Sequence, residues 1–243
     1  MADRFYYVGP WEDEVTLDGP EAHHLGTVLR RKAGEEVELF DGLGTSASGQ
    51  LTEVAKRSVR IRLTSAPSQS AKNITKLTLA VAPPKRDRLQ WLVEKATELG
   101  VDRFIPLITE RSVVKPRPGK LERLSSTVVE ACKQSGRNHL MEVAPTSSLP
   151  DLIKDSQDQN SPLLFGDVPD KQEQAQQAIK LSGPHSSVTV CIGPEGGFSP
   201  EERQLLRDSG ACPVSISSNV LRVETAAIAL AAVLISQIDI HFE

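Results

Sequence analysis

The chain has 243 residues, of which 39% are apolar and 25% are charged, the balance of an ordinary globular protein. This length fits one large α/β domain, or a small domain followed by a medium one. No apolar run approaches 18 residues and the polar start lacks a signal-peptide core, so we expect a soluble, cytoplasmic protein without membrane contact. The cysteines, Cys132, Cys191 and Cys212, are far apart and form no Cys-x-x-Cys motif, which predicts reduced thiols and no metal site.

The net charge of −4 conceals an uneven distribution. Residues 1–70 hold 8 basic and 11 acidic side chains, a balance of −3; residues 71–150 hold 14 and 8, giving +6; residues 151–243 hold 6 and 13, giving −7. The middle third therefore predicts a basic face, which attracts polyanions such as nucleic acid. Scattered solvated charges would give the same counts, so composition leaves both interpretations open.

Residues 1–70 predict a small β-rich domain. Strands are indicated at 4–8, 36–40 and 59–63, and Asp41-Gly42 is typical of a hairpin turn. Between the first two strands, residues 20–31 place apolar side chains at helical spacing. A Ser-, Ala- and Pro-rich stretch then marks a linker, so we place the domain boundary near residue 70.

From residue 71 onward, strand and helix patterns alternate. The pattern predicts strands at 77–81, 104–108, 163–165, 188–192 and 213–216, and helices at 86–99 and 120–135. Such alternation predicts an α/β domain with a parallel sheet, in which ligands bind beyond the carboxyl ends of the strands. The last helix, 225–238, is apolar nearly all round and must be buried, either in its own subunit or against a second one.

The stretch from Val188 to Glu202 reads as a buried strand, a glycine-rich turn and a helix start. Glycines at 193, 196 and 197 let the backbone come close to a ligand with no Cβ in the way. Ser199 followed by Glu202 is a capping box, which starts the helix. An ordinary tight connection between strand and helix has the same features, and a lone glycine-rich turn is a weak signal of a binding site.

Arg222 and Glu224 stand two residues apart just before the long apolar helix. Charges beside a buried helix cost free energy unless they have partners. They are therefore either functional groups or an ion pair that braces this part of the fold.

Two motifs, Ile192-Gly193-Pro194-Glu195-Gly196-Gly197-Phe198-Ser199 and Leu221-Arg222-Val223-Glu224-Thr225-Ala226, resemble the RsmE family of 16S ribosomal RNA uracil-N3 methyltransferases, members of the SPOUT class. The resemblance implies a homodimer that methylates uracil N3 in the small ribosomal subunit, using S-adenosylmethionine. It also implies a PUA-like RNA-binding β-barrel in residues 1–70 and a SPOUT domain with a C-terminal trefoil knot in residues 71–243.

The resemblance places the cofactor in three loops at the carboxyl ends of strands. The residues of this chain that match are Leu164, Phe165, Ile192, Gly193, Gly196, Gly197, Ile216, Ser217 and Leu221. The chain departs from the family at Ser217, where glycine is common, and a serine would be strained if the backbone there required positive φ.

Methylation at uracil N3 removes a proton and places negative charge on two flanking carbonyls. A cation or an amide can stabilise that charge, and a carboxylate can accept the proton. The resemblance makes Arg137 and Asn138, part of a Gly-Arg-Asn element, the first candidates for contacting the target base or its phosphate. The full set of catalytic candidates is Arg137, Asn138, Arg222, Glu224 and Glu195. Structural alternatives stay open, since Arg137 also suits a helix C-terminus and Glu195 would also orient its turn.

Phosphate contacts give affinity without sequence choice and are expected from exposed cations. The candidates are Arg30, Arg31, Lys85, Arg86, Arg88, Arg111, Lys115 and Arg117. Three other functions compete with uracil methylation: a SPOUT methyltransferase acting on transfer RNA or ribose 2′-OH, a non-catalytic RNA-binding assembly factor, and a nucleotide-binding enzyme. The third is disfavoured because the chain lacks a Gly-x-x-x-x-Gly-Lys-Ser/Thr loop and because Glu195 would repel an anion.

Overall fold

The computed structural model describes residues 3–72, 75–85, 87–114, 118–167 and 186–238. The chain divides into two compact units. The first consists of residues 1–72 together with 129–140, and the second of residues 73–128 together with 141–243. The segment 129–140 lies within the predicted second domain, 71–243, but is grouped with the first unit.

A six-stranded sheet forms the first unit. Its strands are β1 (Asp3–Tyr6), β2 (Glu14–Asp18), β3 (Glu36–Phe40), β4 (Thr45–Val54), β5 (Ser58–Leu63) and β6 (Ser68–Gln69). They are arranged in the order β1-β3-β4-β5-β2, with β6 beside β4. β1 and β3 are parallel and the other pairs antiparallel. Because side chains alternate across each strand, Val15, Leu17, Val59 and Ile61 are buried in one core.

The helix expected over residues 20–31 is shorter and less regular than its periodicity suggests. Helix α1 (Gly19–His23) is followed by a π-helical turn at His24–Val28, and Arg30 then has a positive φ of 54°. Gly26 lies inside this turn, and glycine favours a helix interior less than almost any other residue. The expected linker also contains β6, which pairs with β4.

The hairpin predicted at Asp41-Gly42 is present between β3 and β4. One Asp41 carboxylate oxygen accepts hydrogen bonds from the backbone N–H groups of Leu43 and Thr45, at 2.7 and 2.9 Å. Gly42 has a φ of 74°, and a Cβ there would lie 2.6 Å from Leu140. Burial alone would raise the pKa of Asp41, but hydrogen bonds from the Thr45 side chain and from the backbone of Leu43 and Thr45 lower it below the ordinary value of 3.8.

The second unit is built on a seven-stranded sheet. Its strands are β7 (Lys76–Val81), β8 (Arg103–Ile108), β9 (Glu142–Val143), β10 (Ser147–Ser148), β11 (Leu163–Gly166), β12 (Ser187–Ile192) and β13 (Cys212–Val214). Its helices are α2 (Arg88–Leu99), α4 (Leu149–Asp158), α5 (Pro200–Asp208), α6 (Val223–Ile238) and, up to Val128, α3 (Pro118–Ser135). The strand order is β10-β8-β7-β12-β11-β13, with β9 beside β8. Every pair is parallel, which confirms the predicted parallel sheet.

Helix α6 and the central strands form much of this unit's core. Ala227, Leu230, Ala231 and Leu234 are buried, whereas the apolar residues between them are half-buried. Burial raises the pKa of the Cys191 thiol in β12, so this cysteine stays protonated and packs as an apolar side chain. Among the described residues, no helix has both the length and the apolar character to cross a membrane.

The last turns of α3 and the segment after them pack within the first unit. Arg4, which is buried, donates to the backbone carbonyl of Cys132 at 2.9 Å and lies beside Glu38 at 3.2 Å. Lys133 pairs with Glu21 at 3.2 Å. These charge-assisted contacts hold the end of α3, where the Gly-Arg-Asn element begins, to strand β1 and helix α1 of this unit.

Candidate functional site

A cavity of about 270 Å³ lies in the second unit at the carboxyl edge of its sheet. It is there because β11, β12 and β13 are adjacent and parallel, so the segments that follow them leave the sheet at one edge. Those segments line it, namely Gly166 and Asp167, residues 192–198, and residues between 214 and 221. This is the position where parallel α/β sheets bind ligands.

The wall formed by residues 193–197 depends on glycine. A Cβ at Gly193 would lie 3.2 Å from the Phe198 ring, closer than ordinary contact. Gly197 has a φ of 66°, which non-glycine residues rarely adopt, and its N–H donates to the Pro194 carbonyl at 2.8 Å. The turn therefore keeps its backbone close to the cavity, as the sequence predicts.

The predicted capping box fixes the far end of this turn. The Ser199 hydroxyl accepts from the Glu202 N–H at 3.2 Å, and the Glu202 carboxylate accepts from the Ser199 N–H at 2.9 Å. Both groups satisfy backbone donors that the first turn of α5 leaves unpaired.

Most of the residues predicted to hold the cofactor line this cavity. They are Ile192, Gly193, Gly196, Gly197, Ile216, Ser217 and Leu221. Leu164 and Phe165 do not line it, because they are buried inside β11; the residues just beyond that strand, Gly166 and Asp167, reach the cavity instead.

Ser217 is not strained. The described non-glycine residues with positive φ are Arg30 and Asn160, so the serine, which stands where the resemblance leads us to expect glycine, has an ordinary backbone conformation. Its hydroxyl accepts from the Asn219 N–H at 3.0 Å, and its carbonyl accepts from the Ser215 hydroxyl at 2.9 Å. Local hydrogen bonds thus shape this third segment.

Sequence reasoning missed an ion pair on the cavity wall. Arg203 of α5 lies 3.0 Å from the Asp167 carboxylate, whose side chain is 9% exposed, and both residues line the cavity. The Asp167 N–H also donates to the Val214 carbonyl at 3.1 Å. The only sequence signal was the position of Asp167 directly after a strand.

Comparison with known proteins identifies the family. A model described as RNA methyltransferase domain matches residues 70–235, and one described as RNA methyltransferase PUA domain matches residues 17–64. The ribosomal RNA small subunit methyltransferase E of Rickettsia conorii is 36% identical over 213 residues, which cover 85% of this chain and 82% of that protein. The chain belongs to the ribosomal RNA small subunit methyltransferase E family.

Two further relatives have the same name. The protein from Bacillus subtilis is 31% identical over 218 residues, covering 87% of this chain and 85% of the relative. The crystal structure of the Neisseria gonorrhoeae protein bound to S-adenosylmethionine superposes with a TM-score of 0.86 at 28% identity, covering 98% of each chain. These matches confirm the family resemblance and the α/β fold with an N-terminal PUA domain.

Of the acidic candidates in this family member, Glu195 and Glu224 have different surroundings. Glu195 is exposed and lines the cavity. Glu224 is buried, and its carboxylate lies 3.2 Å from the guanidinium of Arg88, an expected phosphate contact. The brace that we considered between Glu224 and Arg222 is thus made with Arg88, while Arg222 is exposed just before α6.

The Gly-Arg-Asn element lies in the first unit. The Asn138 side-chain oxygen accepts from Arg4, and its side-chain nitrogen donates to the Ser46 hydroxyl at 3.2 Å. These bonds use both ends of the amide, so Asn138 shapes its loop. Arg137 is half-buried and has interaction partners of its own. A catalytic function of either residue stays a prediction.

The predicted phosphate contacts also differ in availability. Arg30 and Lys85 are exposed, whereas Arg31 pairs with Asp3 at 2.7 Å and Glu35 at 2.8 Å, and these hydrogen bonds raise its pKa. Arg111 donates to the Gly196 carbonyl at 2.8 Å. Arg86, Lys115 and Arg117 lie outside the described residues.

The described residues contain no group of three or more His, Cys, Asp or Glu side chains arranged to hold a metal ion.

Proposed function

We propose that this chain methylates N3 of a uracil in 16S ribosomal RNA of the small ribosomal subunit, with S-adenosylmethionine as the methyl donor. The observation that carries the proposal is the cavity at the carboxyl edge of β11, β12 and β13, with its glycine-rich turn. A relative with the same fold and 28% identity is known with that cofactor bound. A ribosomal substrate would place the enzyme in the cytoplasm, where ribosomes assemble.

The lining of the cavity suits this cofactor. Its volume, about 270 Å³, is near the lower end of small-molecule sites, about 300 Å³. Apolar side chains such as Ile192, Leu221 and Leu230 offer contact area for a purine, while the backbone of the glycine-rich turn offers donors and acceptors. Asp167 supplies a largely buried carboxylate on the same wall. When bound, S-adenosylmethionine supplies an electrophilic methyl group on a sulfonium centre.

The chain's own groups would manage charge and the proton. Arg222, exposed beside the third cavity segment, would stabilise the negative charge that develops on the uracil carbonyls. Glu195 is the better proton acceptor because it is exposed and lines the cavity, whereas Glu224 is engaged by Arg88. Arg137, presented by the first unit, would contact the RNA.

The protein would work as a knotted homodimer. The half-buried face of α6, which includes Ile228, Ala229, Ala232, Val233 and Ile235, supports this proposal, because apolar surface of this kind is suited to burial against a second copy. The trefoil knot remains an expectation from the SPOUT resemblance.

Methyl transfer tests the proposal directly. Labelled S-adenosylmethionine is incubated with naked 16S RNA and with unmethylated small subunits, and the products are digested and analysed as nucleosides. We expect labelled 3-methyluridine, with the preferred substrate showing whether a folded ribosomal surface is recognised. A label in a ribose 2′-O-methyl nucleoside, or none despite cofactor binding, would contradict the proposed reaction.

A further inference from the structure

The loop between β8 and α3 is bonded to the glycine-rich turn of the cavity and to the helix start that follows it, although the bonded residues are 85 and 92 positions apart. Residues 109–112, at the start of this loop, form a closed turn, because the Ser112 N–H donates to the Thr109 carbonyl at 3.1 Å and the Ser112 hydroxyl accepts from the Thr109 N–H at 2.9 Å. This compact turn directs Glu110 and Arg111 at the residues around 196–202.

The first bond uses the Glu202 carboxylate oxygen that does not take part in the capping box. One oxygen of the Glu202 carboxylate accepts from the Ser199 N–H, and the other accepts from the Glu110 N–H at 2.7 Å. The same carboxylate therefore starts α5 and anchors the loop. Charge-assisted bonds of this kind are short and directional.

The second bond fixes a peptide plane in the turn. The Arg111 guanidinium donates to the Gly196 carbonyl at 2.8 Å, and the N–H of the same peptide, that of Gly197, donates to the Pro194 carbonyl at 2.8 Å. Because a peptide unit is planar, these two bonds together set the orientation of the plane. Arg111 is therefore bonded directly to a peptide that lines the cavity.

Arg111 has further capacity to bind. A guanidinium carries five N–H donors, and within the described part of the chain its one hydrogen-bonded partner is the Gly196 carbonyl. The side chain is exposed and does not line the cavity. Its other donors are thus suited to a phosphate, which guanidinium groups bind in a bidentate manner.

We propose that Arg111 is a positioning residue that couples RNA binding to cofactor binding, through the bond between its guanidinium and the Gly196 carbonyl. The inference rests on the proposed function. The 196–197 peptide would hold part of the cofactor and would then lose the motion that its two hydrogen bonds still allow, so Arg111, which is bonded to that peptide, would be held in place for the RNA backbone. The conformational entropy of the peptide and of Arg111 is then lost when the first ligand binds, and the second ligand does not have to reduce it again. This gives positive cooperativity without a new contact.

The test is a comparison of RNA affinity with and without S-adenosylhomocysteine, the product form that cannot react. The dissociation constant for naked 16S RNA and for unmethylated small subunits is measured in both conditions, and the ratio is the coupling factor. We expect a factor of about fivefold or more for the unmodified protein, the usual lower bound of allosteric coupling. By linkage, RNA must tighten S-adenosylhomocysteine binding by the same factor, which calorimetry checks independently.

Two substitutions isolate Arg111. Arg111→Met keeps the aliphatic stem and removes the donors, so we expect its coupling factor to fall below about twofold. Arg111→Lys restores a charge and a donor and should recover part of the factor. Lys154→Met, which removes an exposed cation from α4, is the matched control and should leave the factor unchanged. Thermal melting verifies that each variant is folded.

A coupling factor of one in the unmodified protein would overturn the inference. So would Arg111→Met if it weakened RNA binding equally with and without S-adenosylhomocysteine, because Arg111 would then be a phosphate contact only. The proposed function fails separately, since it fails if the unmodified protein forms no 3-methyluridine. Normal methylation with an Arg111→Met coupling factor equal to that of the unmodified protein would reject the coupling alone.

Discussion

Individual charged side chains in this protein are distinguished by what surrounds them. Arg31 and Glu224 are engaged by opposite charges, whereas Glu195 is exposed on the cavity wall. A group already held in an ion pair must give up that pair before it can serve a substrate. The residues most available for chemistry are therefore those without a strong partner, or those whose partner lies in the cavity wall itself.

Arg137 is the first side chain to test. Arg137→Ala should lower kcat/KM for methyl transfer by about 100-fold, the usual cost of removing one donor to developing charge, while the cofactor dissociation constant stays unchanged. The control is Arg123→Ala, which removes an exposed arginine from α3, the helix that precedes the Gly-Arg-Asn element. Equal loss of activity and cofactor affinity would remove Arg137 from the RNA site.

Asp167 is expected to act on the cofactor. Asp167→Asn keeps the shape of the side chain but removes the charge that faces Arg203, so we expect the cofactor to bind about tenfold more weakly, equivalent to one charged hydrogen bond. Calorimetry measures this, and the double variant with Arg203→Gln should lose little more, because the two residues act as a pair. Unaltered affinity in Asp167→Asn would show that the pair only braces the wall.

Turns and helix starts hold the segments that carry these side chains. The capping box of α5 orders one end of the glycine-rich turn, and the Asp41 carboxylate orders the β3–β4 hairpin. Each device satisfies backbone N–H groups that the adjacent element leaves unpaired. Loss of either device should lower the stability of the protein, and loss of the capping box should also weaken cofactor binding.

Ser199→Ala should destabilise the second unit by about 1 kcal/mol, the typical cost of an N-cap. We also expect weaker cofactor binding, since the cap adjoins the turn that lines the cavity. Ser148→Ala removes the N-cap of α4, where the Ser148 hydroxyl accepts from the Asp151 N–H, and is a matched control. We expect Ser148→Ala to lose a similar amount of stability but to bind the cofactor normally. Identical cofactor affinity in the two variants would contradict a link between the N-cap of α5 and cofactor binding.

Asp41 makes the hairpin sensitive to acid. Its pKa is lowered in the folded protein, so its ionised form stabilises the hairpin fully above the ordinary value of 3.8 and loses this effect as pH falls through the folded pKa. Hydrogen exchange at Leu43 and Thr45 should therefore be faster in Asp41→Asn than in the unmodified protein near neutral pH, with the gap closing in acid. A gap that does not vary with pH would refute this assignment.

At the scale of the whole molecule, the proposed homodimer leads to a prediction about mass. Sedimentation equilibrium should give twice the mass of one chain. Val233→Asp, on the half-buried face of α6, should shift the protein to monomer, because an unpaired charge in an apolar interface costs several kcal/mol. Ser236→Asp, exposed on the same helix, should leave the dimer intact. A monomer in the unmodified protein would reject the proposed assembly.

The local pattern of the chain is enough to predict much of the second unit. The alternation of strand and helix patterns along the chain predicts the parallel sheet. The glycines at 193, 196 and 197, with Ser199 and Glu202, predict a turn followed by a capped helix. These features depend on residues within one or two turns of each other, so their physical causes are visible in the sequence. Helix α4 is not predicted from the sequence, because its ten residues carry only a short apolar stripe.

Contacts between distant residues were decided by the fold. Asp167 meets Arg203, Arg88 meets Glu224, and Arg111 meets Gly196 only because the sheet brings separate crossovers to one edge. Likewise, the segment 129–140 is grouped with the first unit through contacts such as Arg4 with Cys132. Local propensity contains no information on which distant groups become neighbours, because that depends on strand order and on burial across the whole chain.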